Sequence, residues 1–505
     1  MKMRKINYYL LALSAMIGIT LSCSDDFIEI SPAGSTLEGN YYKNETEAYS
    51  GLVAVYDVLK KHTGGFENEV SFFNAGSDDF YAGGGGATDG TGIQSFSNYS
   101  ISPATVPGSY WNDNFQGVFR ANLILSKIPN VPMSDDKKVR FTAEAKALRA
   151  YYYFNLVRMF KNVPLFTAPI ATGDIYNVEQ AAPEAVYAQI EQDLTEAFAD
   201  VPTTLDMTTE SGRFSKGSVQ ALLGKVYLYE GKNAEAATQF AAVNGTPGGT
   251  SQYGYHLLTN YSDLWIPANK YNTESIFESS HSTQSQASWG NWGSGSDEGN
   301  SMSQMIGPRG FVRNTSAAPD LAGGWSFNTV TDDLFNFMTG DPRMNSTILN
   351  MTALQASGAA SYSPGYMDTG HFLKKYLPLT SDRTTSGGTI ELNYGINSYV
   401  IRLADTYLME AEALGATGPR AQALLDAVRT RVGLPSVPVS MANIMKERRL
   451  ELAGEGHRWF DLVRWGTAQT VLNAVGKPFT SGKNEVLPIP LNEIGNTKIV
   501  QNPNY

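Results

Sequence analysis

Lys446-Glu-Arg-Arg-Leu-Glu-Leu-Ala-Gly-Glu-Gly-His-Arg-Trp-Phe-Asp-Leu-Val-Arg-Trp-Gly466 is the stretch that decides the fold. Glu447, Arg448, Arg449, Glu451, Glu455, Arg458, Asp461 and Arg464 are interleaved with Leu450, Leu452, Trp459, Phe460, Leu462, Val463 and Trp465. A surface helix keeps a single apolar stripe and gives the rest to water. Here charged and apolar residues run round the whole circumference. The expectation is one helix from about Arg448 to Trp465, packed on several sides, with its charges bridged to neighbouring helices. Arg458, Asp461 and Arg464 recur every three residues, close enough to pair along one face. Glu, His and Asp in such proximity also suit catalysis, but no nucleophile motif accompanies them, and the structural reading is simpler.

Working upstream, the chain keeps supplying helices. Leu223-Gly224, Tyr227, Ala236 and Phe240 fall where the tetratricopeptide pattern puts them, with Gln220 in place of its leading Trp. Small residues let the two helices of such a hairpin approach, and Tyr and Phe fill the angle between them. Leu403-Ala404, Tyr407 and the segment from Ala421 to Val428 read as a degenerate second copy. Apolar spacing predicts further helices over 44–59, with Asn44 as N-cap, over 110–129, over 139–160, and over 183–201, which has Pro183 in its first turn. The fold class is therefore predominantly all-α: a tetratricopeptide-like scaffold of helical hairpins with few short strands.

Two long insertions break this scaffold. Residues 64–108 hold Gly83-Gly84-Gly85-Gly86 and seven Phe and Tyr side chains, among them Tyr81 and Phe96. Four consecutive glycines end any helix, and a long glycine-rich loop inside a compact domain is functional when its aromatics must be stacked or buried. Residues 245–400 are loops and short elements that carry Trp289, Trp292 and Trp325 in Gly- and Ser-rich surroundings. Low-complexity Gly/Ser sequence does not normally need tryptophan. After the opening stretch, Pro488, Pro490 and Pro503 make the tail from Asn484 to Tyr505 an extended strap.

The stretch 446–466 closely resembles the C-terminal signature of the SusD/RagB family, the outer-membrane glycan-binding lipoproteins of Bacteroidetes. Glu144–Phe166 resembles that family's second signature, and the tail resembles its ending. The likeness extends over nearly the whole chain beyond its leader. It implies a single helical domain over 44–505, with a glycan site on the loop-rich face away from the helical repeats. It also implies a partner, a TonB-dependent barrel of the SusC type, over which such a protein sits as a lid. In this reading Glu447, Arg448, Arg449, Glu451, Arg458, Trp459, Asp461, Arg464 and Trp465 are structural.

The 505 residues are 42% hydrophobic and 17% charged, enough for a sizeable core. A formal charge of −11 argues against a nucleic-acid partner. Residues 1–22 read as an export signal: Lys2, Arg4 and Lys5, then an apolar run from Tyr8 to Leu21, too short to span a bilayer. Leu21-Ser22-Cys23 resembles a bacterial lipobox, with Thr20 where Leu is usual, and makes Cys23, the only cysteine, the acylated residue. Ser24-Asp25-Asp26 resembles the signal that sends such lipoproteins to the cell exterior, and residues 23–43 become a lipid-anchored tether.

No reactive motif emerges. The five histidines lack zinc-ligand spacing, and neither a P-loop nor a G-x-S-x-G elbow is present. Neither a metal nor a cofactor is expected. Asp78-Asp79 and Asp332-Asp333 are adjacent pairs rather than carboxylates facing each other across a cleft. A binding surface remains. Sugars present flat C–H faces and a rim of hydroxyls, which exposed rings and polar side chains on loops can match. Trp289 and Trp292 are the first candidates, followed by Trp325, Tyr81 and Phe96, whereas Trp111 and Trp265 fall in helical contexts and belong to the core. Two alternatives have their own signatures: a tetratricopeptide adaptor gripping a peptide, and an all-helical polysaccharide hydrolase.

Overall fold

The computed structural model describes residues 41–171, 173–292, 297–495 and 497–505. The leader, Cys23 and the tether up to residue 40 lie outside the described residues. Asn44–Tyr505 form one compact unit. The described residues contain eighteen α-helices and four two-stranded antiparallel ladders, with no larger sheet.

Eight helices make up the first part: α1 (Glu45–Tyr56), α2 (Glu69–Gly76), α3 (Thr91–Ser97), α4 (Ser109–Lys127), α5 (Asp135–Phe160), α6 (Pro183–Asp200), α7 (Lys216–Tyr229) and α8 (Asn233–Asn244). The short α9 (Ser301–Ile306) lies in the second insertion. The scaffold resumes with α10 (Leu403–Ala413), α11 (Gly418–Arg431), α12 (Met441–Leu452) and α13 (Arg458–Arg464). Their ends follow local chemistry. The Asn44 side chain accepts from the Glu47 N–H at 3.0 Å, Ser215 and Ser218 form a reciprocal capping box on α7, and Pro183 occupies the first turn of α6.

Consecutive helices pack as hairpins: α4 on α5, α5 on α6, α6 on α7 and α7 on α8, then α8 on α10 and α10 on both α11 and α12. Glycine permits the closest approaches. A Cβ on Gly224 would stand 2.9 Å from the Phe240 ring, and one on Gly117 would stand 2.4 Å from the Tyr152 ring. The α7–α8 hairpin thus matches the spacing argument, and Leu228, Ala236 and Phe240 share a core cluster with Met409 and Ala413 of α10. The tail lies across the end of α5, where Leu487 N–H donates to the Met159 carbonyl at 2.7 Å and the Asn502 amide donates to the Phe160 carbonyl at 3.0 Å.

The opening stretch corrects its own reading in one respect. It is two helices, not one: α12 ends at Leu452 and α13 begins at Arg458. Gly454 and Gly456 adopt φ of +82° and +79° between them, a left-handed conformation open to glycine. A Cβ on Gly454 would also sit 2.4 Å from Leu373. The turn lets one short sequence face two directions, and the charges partition accordingly.

From α12 and the turn, Glu447, Glu451 and Glu455 enter a buried cluster. Glu447 binds Arg343 and Arg429 at 2.6 and 2.7 Å, Glu451 binds Arg343 and Arg402 at 2.9 and 2.7 Å and also Arg431, and Glu455 binds Arg402 and Lys375 at 2.8 and 2.7 Å. Glu274 joins Arg402 to Arg431, and Asp341 closes on Arg343. Five cations meet five carboxylates, so the cluster is neutral. Burial alone would push the Glu451 carboxyl up, but Arg431, Arg402 and Arg343 overcome it and hold the group well below the ordinary range. A second neutral set joins Lys225, Arg448 and Arg464 to Asp405, Asp461 and Glu412. Asp461 therefore pairs with Arg464, as its spacing suggests, and with Arg448. Arg458 turns away and binds Asp78 through two hydrogen bonds of 2.8 Å.

Candidate functional site

The stretch 64–108 is less open than its glycines suggest. It contains α2 and α3, and Gly83–Gly86 lie between them. The segment 77–80 is held by groups from the other end of the chain. Arg458 takes Asp78, Arg449 takes Asp79 at 2.7 Å, and the Lys477 ammonium donates to the carbonyls of Ala75, Ser77 and Phe80 at 2.5–2.8 Å. Burial lowers the Lys477 pKa to about 7. Asp78 and Asp79 are thus ion-paired structural groups and not a hydrolytic pair.

The second insertion builds an aromatic cluster. Ser288 N–H donates to the Asn291 side chain at 2.5 Å and Asn291 N–H donates back to the Ser288 carbonyl at 3.0 Å. That tight turn sets Trp289 and Trp292 three residues apart. Asn393 secures its base by pairing both ways with the Ala287 backbone. Trp325 comes from a separate strand of chain that passes Gly307 so closely that a Cβ on Gly324 would stand 2.3 Å from the Gly307 carbonyl oxygen. The Trp325 N–H donates to the Gln304 carbonyl at 2.9 Å.

The three indoles converge. Ring centroids lie 5.7 Å apart for Trp289–Trp292, 5.9 Å for Trp289–Trp325 and 5.7 Å for Trp292–Trp325. Trp289 is 59% exposed, while Trp292 and Trp325 are half-buried. Trp292 is the anchored member: its indole N–H donates to the Ser301 hydroxyl at 2.9 Å, and its ring meets Phe66 edge-on at 5.9 Å. Phe66 in turn packs edge-on against Phe327 at 5.2 Å. Arg309 lies at the polar edge of the cluster. Its guanidinium donates to the Trp325 carbonyl at 3.3 Å and faces Asp89 at 3.7 Å. A partly exposed aromatic group of this kind offers flat apolar surface beside hydrogen-bonding groups, the complement of a sugar ring.

The other two candidates fare differently. Tyr81 is half-buried, its N–H tied to the Thr329 carbonyl, and among the described residues it has no ring contact with the indoles. Phe96 is a correction. It is 1% exposed, stacked on Phe72 at 4.3 Å and packed against Trp459, with its ring filling the space a Cβ on Gly76 would need. It is core, because α3 turns its apolar side inward onto α2. Trp111 and Trp265 are core as expected. Phe66 and Arg309 received no role from the sequence, since a single Phe among seven loop aromatics and a lone Arg in Gly-Pro-Arg-Gly carry no spacing signal. Among the described residues no group of His, Cys, Asp and Glu is arranged to hold a metal ion.

Comparison with known proteins agrees with this architecture. Residues 273–505 match the SusD family, and residues 53–228 match a family described as starch-binding and associating with the outer membrane. SusD-like protein P25 of Formosa agariphila is 26% identical over 98% of this chain and 97% of its own. A solved structure described as a laminarin-binding SusD-like protein superposes with a TM-score of 0.90 at 61% identity, covering 92% of this chain and all of that one. Surface glycan-binding protein A from Bacteroides thetaiotaomicron, solved in complex with laminarihexaose, gives a TM-score of 0.81 at 27% identity, covering 91% of this chain and 99% of that one.

Proposed function

The chain belongs to the SusD/RagB family, and from that premise we propose that it is a non-catalytic surface receptor for a laminarin-type β-glucan. The observation that carries the reading is the convergence of Trp289, Trp292 and Trp325 from two distant segments onto one partly exposed patch. Similarity at 61% identity to a protein described as laminarin-binding supports laminarin as the glycan. The chemistry on this face is stacking and hydrogen bonding, with Trp289 offering an open indole face and Arg309 and Asp89 offering donors and acceptors to hydroxyls. A site that only binds needs no acid–base pair.

Weak capture is the expected regime, in roughly the micromolar to millimolar range. Captured glycan then passes to a SusC-type TonB-dependent transporter, with this protein as its lid. Acylated Cys23 holds the receptor to the outer membrane, facing the exterior. The family premise and the lipobox-like sequence support that placement, and no described helix is long and apolar enough to cross a membrane. The test is calorimetric titration of the domain from residue 44 with laminarin and a panel of unrelated polysaccharides. Laminarin binding that is lost in Trp289→Ala, with unchanged melting temperature, is the expected result. Binding that survives the substitution, or an absence of binding to laminarin, refutes the reading.

A further inference from the structure

Phe66, whose ring meets Trp292, also lines a second concavity of about 510 Å³. That is within the roughly 300–1,000 Å³ typical of small-ligand sites. Its walls are two backbone segments, 90–93 and 104–108, and its rim carries Phe66, Glu67, Thr91 and Ala104. The walls are fixed by close approaches. A Cβ on Gly90 would stand 2.7 Å from the Phe66 ring, and one on Gly92 would stand 2.6 Å from Pro107. Gly90 has φ of +71°, so glycine is favoured there on two counts. The cleft is therefore built in advance, not opened by its occupant.

Phe66 belongs to both places. Its ring meets Trp292 and Phe327 edge-on, and the ring also lines this cleft. Among the described residues the lining contains no Lys or Arg, and its one charged residue is Glu67, whose carboxylate accepts from the Ser109 hydroxyl at 2.5 Å. A carboxylate has about four acceptor positions, so the group can also accept from further hydroxyls. Among the described lining residues an anionic ligand finds no cationic side chain. An uncharged polyhydroxylated one finds apolar walls, a hydroxyl at Thr91 and the acceptor at Glu67.

Resting on the glycan reading above, we infer that this cleft is a second subsite, occupied by the continuation of the same glucan chain beyond the indoles, with Phe66 as the shared wall. Affinity then depends on chain length: a short oligomer covers the indoles alone, and a polymer fills both lobes. The experiment titrates laminaritriose and laminarin into the wild-type domain, into Ala104→Trp, which fills the cleft from its exposed rim, and into Glu67→Ala. Laminarin should weaken by about tenfold in Ala104→Trp and about threefold in Glu67→Ala, with the trimer within about twofold of wild type throughout. Unchanged laminarin affinity in both variants overturns the subsite, as does an equal loss for trimer and polymer. Should the wild-type domain bind neither, or should Trp289→Ala leave trimer binding intact, the glycan reading itself fails, a result separable from the fate of the cleft. A laminarin change confined to one variant that melts like wild type still assigns the cleft, because each variant alters only its rim.

Discussion

Replacing Glu451 by Gln removes one negative charge from a buried neutral cluster while keeping the side-chain volume. Glu451 touches three guanidiniums, those of Arg343, Arg402 and Arg431. Arg343 retains Asp341 and Glu447, Arg402 retains Glu274 and Glu455, and Arg431 retains Glu274. No arginine is orphaned, yet five cations then face four anions in a fully buried setting. Removing one partner of a buried ion pair costs about 3–5 kcal/mol. An unfolding entropy of about 2.1 cal/mol/K per residue gives a domain of roughly 460 residues about 1 kcal/mol/K, so the melting temperature should fall by about 3–5 °C. Differential scanning calorimetry measures this directly. The double variant Glu451→Gln/Arg431→Met restores neutrality and should recover part of the loss, a coupling that a double-mutant cycle isolates. A Glu451→Gln protein melting within about 1 °C of wild type would refute the claim that charge balance in this cluster stabilises the fold.

Trp292→Ala, unlike Trp289→Ala, should lower both glycan affinity and melting temperature, because it orphans the Ser301 contact and the Phe66 packing; calorimetry on both variants separates the two roles. Phe96→Ala should cost about 3–5 kcal/mol in chemical denaturation as a core truncation, and unchanged stability would contradict its burial. His281, which burial holds near pKa 3, binds its proton in the unfolded chain from about pH 6.5 downward, so it subtracts stability as pH falls through that window. His281→Gln should accordingly flatten the stability–pH curve between pH 6.5 and 3 by about 1.4 kcal/mol per pH unit, as read from urea midpoints, and a parallel curve would refute the assignment. Mild-detergent extracts should yield this protein together with its transporter, and Cys23→Ala should release it from the membrane fraction; recovery of the protein alone from transporter-expressing cells sinks the lid.

Much of the helical frame was legible because its signals are local. Asn44, Pro183, Leu223-Gly224 and Phe240 mark caps and hairpins within a few residues of where they act. The signature read correctly as buried, since charge spread around a helix has no other stable home. Its break was missed because Ala-Gly-Glu-Gly was read through rather than as a stop, although Gly454 and Gly456 are the residues that require positive φ. Partners were harder still. Arg458 to Asp461 is a plausible pair by spacing, but nothing in the sequence indicates that Asp78, 380 residues away, competes for the same guanidinium. The same limit applies at the proposed binding face. Tryptophan in a Gly/Ser loop singled out Trp289 and Trp292, while Phe96 shares its insertion and its chemistry with the half-buried Phe66 and Tyr81 and is buried by the direction α3 turns.

The Lys477 clasp has a consequence for how the molecule comes into being. Its three carbonyl acceptors lie 397 to 402 residues earlier in the chain. Closing a flexible loop of that length costs on the order of 5 kcal/mol of chain entropy, which no single ammonium contact offsets. The joining of early and late segments must therefore wait until the intervening helical hairpins have shortened the path between them. A nascent chain lacking its final thirty or so residues lacks the three hydrogen bonds that Lys477 gives to the segment from Ala75 to Phe80.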